Sequence, residues 1–406
     1  MNIKLASIYH YLFILLCFVI PFQKISSALP NIILIGLVVL FPFVVLKQHI
    51  KRLKTPEVFV YVALFLFLVI NMLIFQDIGK EINIIKKIAT PIIILLLYAP
   101  ITNVTSIKKT LILSCFTAIV ISTLRIALFY FSETSFSFSN GPLVDELLII
   151  DRLYLGFMCI ISIVGSVNLI EARVVKYKLL LVINISVSIF FILLASSRIA
   201  VLLLLLLFLL KILYAKKKVL YGLIFIGLMT VTASAFVVNK NLGERFFYTQ
   251  SNASGKSYFE LLKSWEARVV IWDCGVNILS NQTPILIGNG FYGTKAKLLE
   301  CYKTTIDRKE KRDYFVSKGF NPHNTFLDFL LSYGIIAFSL FVILMGLFFK
   351  RVRFSYTQTA LFVSLLCFSL IESYFQRQLG GYYFGFIFIL LLFKEYLPKN
   401  NRNNIH

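Results

Sequence analysis

The chain alternates between long runs of Leu, Ile, Phe and Val and short breaks that hold Lys, Arg, Asn or Pro. Apolar runs of roughly 20 residues suffice to cross ~30 Å of hydrocarbon as helices. Uninterrupted runs such as 201–210 argue for helices, because barrel strands alternate and only helices or closed barrels satisfy the backbone in lipid. The pattern predicts about twelve spans. They lie near 9–27, 29–46, 57–75, 84–100, 110–131, 153–170, 179–196, 199–214, 219–238, 325–349, 357–373 and 381–397. The fourth carries Lys86 and Lys87 near its start and is the weakest. The beginning resembles a signal peptide, with Lys4, an apolar stretch from Tyr11 to Ile20, and the small residues Ser26, Ser27 and Ala28. An uncleaved first span is the favoured reading, because further spans follow at once.

Composition agrees with that pattern. The 406 residues are 59% hydrophobic and only 15% charged, against about 25% charged in soluble domains. The expected fold is an all-α integral membrane protein of about 12 transmembrane helices with one large, partly helical loop on the non-cytoplasmic side.

A net charge of +22 raises nucleic acid as a partner. The cations sit instead in short clusters between spans, where orientation signals belong, so no nucleic acid is expected. One set of alternate connections holds Lys47, Lys51, Arg52 and Lys54, then Lys108 and Lys109, then Arg173, Lys176 and Lys178. It continues with Lys216, Lys217 and Lys218, then Lys350, Arg351 and Arg353, and the tail adds Lys394, Lys399 and Arg402. The positive-inside rule makes these connections and both termini cytoplasmic. The opposite set includes the acidic Glu133, Asp145, Glu146 and Asp151. The expected organisation is an N-terminal bundle over 1–238 with about nine spans, a large outer loop over 239–324, which the resemblance below makes periplasmic, and 325–406 with about three spans and a cytoplasmic tail.

The loop is the informative region. Over 257–280, Leu261, Trp265, Arg268, Trp272 and Leu279 fall near one helical face. Thr283-Pro284 ends that run and Gly288-Asn289-Gly290 supplies a turn. The charged stretch 301–318 is expected to be mobile. Cys274 and Cys301 could pair if the loop faces an oxidising compartment. The other cysteines, Cys17, Cys115, Cys159 and Cys367, read as small hydrophobes, and no zinc site is expected.

Candidate chemistry gathers at the outer side. His323 is the one histidine placed there, beside Asn324 at the mouth of a span. An imidazole there could take a proton from an attacking hydroxyl, while the plainer reading is a structural hydrogen bond. Arg198 follows Ala195-Ser196-Ser197 between two apolar spans, where it should snorkel, pair or bind a ligand. Arg268 lies between Trp265 and Trp272 on the loop helix and also reads as a surface charge. Guanidiniums at one membrane face suit a diphosphate, because their donor fork matches phosphate oxygens. Arg245, Lys263 and Arg377 are supporting candidates that solvation explains as well. Trp265, Trp272, Phe291 and Tyr292 either stack on sugars or anchor at the interface, the commoner role. Glu260, Glu266 and Asp273 do not form a glycosidase-like carboxylate pair. With no Asp-x-Asp, metal-ligand spacing or phosphate loop, neither a metal nor a nucleotide cofactor is expected.

Three motifs in order carry a family resemblance. Arg198-Ile199-Ala200-Val201-Leu202 fits an R-x3-L pattern after a Ser-Ser turn. Arg268-Val269-Val270-Ile271-Trp272, followed by Gly288-Asn289-Gly290, resembles an arginine–tryptophan helix and Gly-x-Gly turn. His323-Asn324, nine residues and Gly334 fit a His-Asn-x9-Gly pattern, with Ala337 departing where Gly, Thr or Tyr is usual. Together they resemble the O-antigen ligase/polymerase superfamily of bacterial envelope glycosyltransferases.

The resemblance implies a GT-C-like, metal-independent inverting glycosyltransferase of the bacterial inner membrane. Its donor would be a glycan on undecaprenyl diphosphate, and its acceptor lipid A–core or another glycan, among membrane lipids. It implies diphosphate binding by Arg198 and Arg268, a base or acceptor-orienting role for His323, and orientation of the imidazole by Asn324. A polymerase with the same donor is the alternative. A flippase would thread polar residues through many spans, and here they collect at one face.

Overall fold

The computed structural model describes residues 3–132, 145–172, 177–195, 197–238 and 266–393, and the regular elements within them are helices. In chain order these are α1 (Ile3–Val19), α2 (Leu29–Val44), α3 (Lys47–Lys51), α4 (Pro56–Phe75), α5 (Ile78–Tyr98) and α6 (Val104–Ser132). Next come α7 (Arg152–Glu171), α8 (Lys178–Leu194), α9 (Arg198–Tyr214) and α10 (Lys218–Val238). Three helices of the expected loop follow, α11 (Ala267–Gln282), α12 (Gly290–Thr305) and α13 (Lys309–Lys318). The described chain closes with α14 (Thr325–Val352), α15 (Tyr356–Ile371) and α16 (Gln378–Leu392).

Among the described residues, five helices are long and apolar enough to cross a membrane: Lys4–Phe22, Pro56–Phe75, Val104–Phe131, Arg152–Glu171 and Thr325–Val352. Leu29–Val44, Lys178–Leu194, Lys218–Thr230, Tyr356–Ile371 and Gln378–Leu392 are shorter apolar helices. Large side chains such as Leu66, Leu128, Phe131, Leu179, Leu213 and Val219 point outward. An exterior this apolar is stable only in lipid, so the chain is an all-α membrane protein.

The centre of the bundle is aromatic. Tyr61 stacks on Phe384, meets Phe388 edge-on and donates its hydroxyl to the Ile88 carbonyl. Glycines bring α16 onto α5, because a Cβ at Gly381 would stand 2.7 Å from the Lys87 carbonyl oxygen and one at Gly385 2.9 Å from Ile94. Small residues allow such backbone approach between membrane helices.

Polar groups concentrate at two opposite ends. At one, Arg351 binds Glu57, Lys211 binds Glu171, and Arg52 donates to the Ala99 and Ile101 carbonyls. At the other lie the starts of α7, α9, α14 and α16, with Lys24, Asp151, Arg198, His323 and Arg377.

Helices α11–α13 form a small satellite core from Ile271, Cys274, Ile278, Leu298, Tyr302 and Phe315, closed on α14 by Leu331. A Cys274–Cys301 disulfide joins α11 to α12, which answers the pairing the sequence left open. The 301–318 stretch, expected to be mobile, is instead largely helical. Tyr302 and Phe315 supply a buried face amid the charges, with the half-buried Phe320 packed on Phe315, and Gly319, at φ 57°, ends α13 in a left-handed cap.

The satellite is fastened where α14 breaks. Gly334 has φ 73° and ψ −169°, and there the Ile335 amide donates to the Ile285 carbonyl (2.8 Å). The Asn289 amide donates to the Leu331 carbonyl (2.9 Å), while Asn71 donates to the Ile287 carbonyl (3.1 Å). The buried Glu81 carboxylate then accepts the first amides of α12, Phe291 (3.0 Å) and Tyr292 (2.7 Å), and the Tyr333 hydroxyl (3.1 Å). A carboxylate at a helix N-terminus complements its unsatisfied donors and dipole.

Candidate active site

His323 sits in the turn that enters α14. Its backbone adopts φ 46°, uncommon outside glycine, and its amide donates to Asn321 Oδ1 (3.0 Å). The Trp272 indole donates to the Pro322 carbonyl (3.1 Å), latching α11 to this turn. The Asn324 side chain accepts from the Phe326 and Leu327 amides (3.0 Å each), as an N-cap does. Its oxygen is therefore committed to the helix, and a different residue holds the imidazole.

That residue is Glu372, just past α15. His323 Nδ1 lies 3.0 Å from Glu372 Oε2, and the carboxylate side chain is only 2% exposed. Thr325 fixes the segment from both sides: its hydroxyl donates to the Glu372 carbonyl (2.7 Å) and accepts from the Tyr374 amide (3.2 Å). The Asn324 amide adds a bond to Ser373 Oγ (3.3 Å). With Nδ1 engaged by the carboxylate, Nε2 is the nitrogen left to exchange a proton with a substrate.

The arginines reach the same segment. Arg268 Nε donates to the Ile371 carbonyl (3.2 Å), one residue before Glu372, and its Nη1 lies 3.1 Å from Glu266 Oε1. The second oxygen of Glu266 is 3.1 Å from Arg198 Nη1. One carboxylate thus spans two guanidiniums from α9 and α11. Arg377 completes the segment, with Nε 3.8 Å from Glu372 Oε1 and Nη1 paired with Asp151. Arg268, His323 and Arg377 therefore converge on residues 371–377, and Arg198 joins them through Glu266. Arg245 and Lys263 lie outside the described residues, and Trp272 acts through the Pro322 latch.

Of the two carboxylates that organise this site, the sequence pattern singles out neither: Glu266 reads there only as an acid without a glycosidase partner, and Glu372 is not among the candidates. Glu372 was legible as a lone acid at the end of an apolar run, where ionisable residues are costly enough to suggest a role. Glu266 had no comparable signal, because the loop around it holds many charges. The assembled groups form an imidazole–carboxylate unit next to a paired-guanidinium site, which can take a proton at one point and hold an anion at another.

Residues 183–342 match the family described as O-Antigen ligase. That stretch contains Arg198, Arg268, the Gly288-Asn289-Gly290 turn, His323 and Gly334, while Glu372 and Arg377 lie beyond it. A search among curated proteins finds no match.

Proposed function

We propose, for a chain whose residues 183–342 match the O-antigen ligase family, that it moves a glycan from undecaprenyl diphosphate to an acceptor hydroxyl at the periplasmic face of the bacterial inner membrane. The observation that carries the reading is the convergence of the His323–Glu372 pair with Arg268 and Arg198 at one end of an apolar bundle.

In this mechanism the acceptor hydroxyl gives its proton to His323 Nε2 as its oxygen attacks the anomeric carbon. The bond from that carbon to the diphosphate oxygen breaks, and the leaving diphosphate carries away the electron pair. Displacement from the opposite face inverts the anomeric centre. Arg198 and Arg268 hold the leaving group, where charge develops, and their fixed donor forks suit phosphate oxygens. Glu372 keeps the imidazole in place and stabilises the imidazolium that forms. The diphosphate is a good leaving group, so one base and two guanidiniums are sufficient and no metal is invoked.

The same reading orients the chain, with both termini cytoplasmic, the 1–238 and 325–406 parts in the membrane and the 239–324 loop outside. The Cys274–Cys301 disulfide supports that side for the loop, because disulfides persist in oxidising compartments.

The test is the envelope glycan of a deletion strain complemented with wild type or with His323→Ala. Wild type restores the ladder; His323→Ala, inserted normally, leaves it absent. Full activity in that variant would remove histidine from the mechanism. Lipid-linked polymer accumulating without transfer to lipid A–core marks a ligase, whereas core bearing a single repeat marks a polymerase with the same donor.

A further inference from the structure

The first turn of α7 holds a cation that the mechanism does not use. Arg152 is 7% exposed, and its Nε, Nη1 and Nη2 atoms are buried without a hydrogen-bond acceptor. Asp145 Oδ1 stands 3.9 Å from Nε, beyond hydrogen-bond reach. That same oxygen accepts the Arg152 backbone amide at 3.0 Å. A guanidinium has five donors and cannot deprotonate, so burial without acceptors is strongly unfavourable unless an anion meets it.

Two further cations stand beside it. Lys24 Nζ lies 2.8 Å from the Asp145 carbonyl and 2.9 Å from Asp151 Oδ1. Arg377 pairs with the other oxygen of Asp151 and turns its Nε toward Glu372. Three cations from α7, the α1–α2 connection and the start of α16 thus share two carboxylates, Asp145 and Asp151. Arg377 also links this cluster to the His323–Glu372 pair, whose other flank carries Arg268 and Arg198.

We infer that Arg152, Lys24 and Arg377 form a second phosphate-binding centre, distinct from Arg198 and Arg268, that holds a phosphate group of the acceptor. The inference rests on the glycan-transfer reading for the word acceptor, and on the geometry alone for the phosphate. A cationic centre apart from the one at the leaving group, linked through Arg377 to the same base, suits an acceptor that itself carries phosphate. The two must be separate, because two diphosphates cannot share one pair of guanidiniums without like-charge repulsion. The acceptor is thereby assigned to phosphorylated lipids rather than neutral glycans.

The experiment is titration of the full-length protein with inorganic diphosphate, in nanodiscs of neutral phosphatidylcholine. Wild type should bind two equivalents per chain, Arg198→Gln should lose one and Arg152→Gln the other, by at least tenfold in affinity. Asp145→Asn, which keeps Arg152 and removes its competing charge, should tighten the second equivalent several-fold, so the centre can be tested even if Arg152→Gln fails to fold. A single equivalent in wild type, or two equivalents unchanged in both Arg152→Gln and Asp145→Asn, overturns the proposal.

Repeating the titration in phosphatidylglycerol nanodiscs separates the sources. Retention of both equivalents supports the acceptor. Selective loss of the Arg152 equivalent means that bulk lipid headgroups occupy the centre, and the acceptor assignment falls. The catalytic reading fails separately: if His323→Ala transfers glycan normally while Arg152→Gln loses one equivalent, the base is wrong and the second centre stands.

Discussion

A buried carboxylate bonded to the one imidazole at the site controls which way that ring faces. Glu372 keeps one oxygen on His323 Nδ1 and turns the other toward Arg377. Glu372→Gln preserves the volume and an acceptor oxygen but removes the charge that stabilises a protonated imidazole. It should lower transfer about 100-fold, toward the lower end of what a positioned base contributes, with normal membrane insertion. Purified enzyme with a lipid-linked donor measures this, and a wild-type rate would show that the ring needs no carboxylate.

Arg198 tests a different property of the same site. Arg198→Lys keeps the charge but replaces a planar fork by a point donor, so donor affinity should fall by about tenfold, roughly the worth of a charge-assisted hydrogen bond. Unchanged affinity would leave Arg198 as a snorkelling residue held by Glu266. His323 and Arg198 could be singled out from the sequence because histidine is scarce and arginine is costly between apolar spans. Glu372 could not be paired with His323, because the two are 49 residues apart. Periodicity along a chain carries no information about which helix ends meet.

At the scale of elements, the site depends on a broken helix. The sequence marked Gly288-Asn289-Gly290 as a turn, and it is one, but nothing in it disclosed that the turn docks into the α14 break at Gly334. The reason for glycine is geometric at both positions: a Cβ on Gly288 would lie 2.3 Å from the Ser332 carbonyl carbon, and one on Gly334 2.5 Å from Leu286. Gly334 also adopts a backbone conformation that is essentially glycine's alone, costing other residues of order 1–3 kcal/mol. Gly334→Ala should therefore lower the melting temperature of the purified protein and loosen the seat of α12, while leaving α14 able to insert. Gly346, in the same helix with nothing within 4 Å of its would-be Cβ, is the control. Alanine there should be neutral or stabilising by up to about 1 kcal/mol, from helix propensity alone. Equal melting temperatures for the two variants would mean that the break does not carry the docking.

For the whole molecule, the arrangement of charge makes one strong claim: the loop helices and the Arg351 rim lie on opposite sides of the membrane. Helix α14 spans Thr325 to Val352 across the kink at Gly334. If it crosses the bilayer, a residue in α13 and a residue at the end of α14 cannot share a compartment. The exposed Glu310 and Lys350 mark those two positions. With Cys367 replaced by serine, the remaining free cysteines Cys17, Cys115 and Cys159 are buried, and Cys274 and Cys301 are paired with each other. In that background, Glu310→Cys should react with a membrane-impermeant maleimide in spheroplasts, and Lys350→Cys only after permeabilisation. The direction follows from the clustered cations of the Lys350 end, which the positive-inside rule assigns to the cytoplasm. Labelling of both from one side would mean that α14 does not span. Labelling of Lys350→Cys alone would invert the molecule, placing His323 and its arginines in the cytoplasm and overturning the proposed transfer at the outer face.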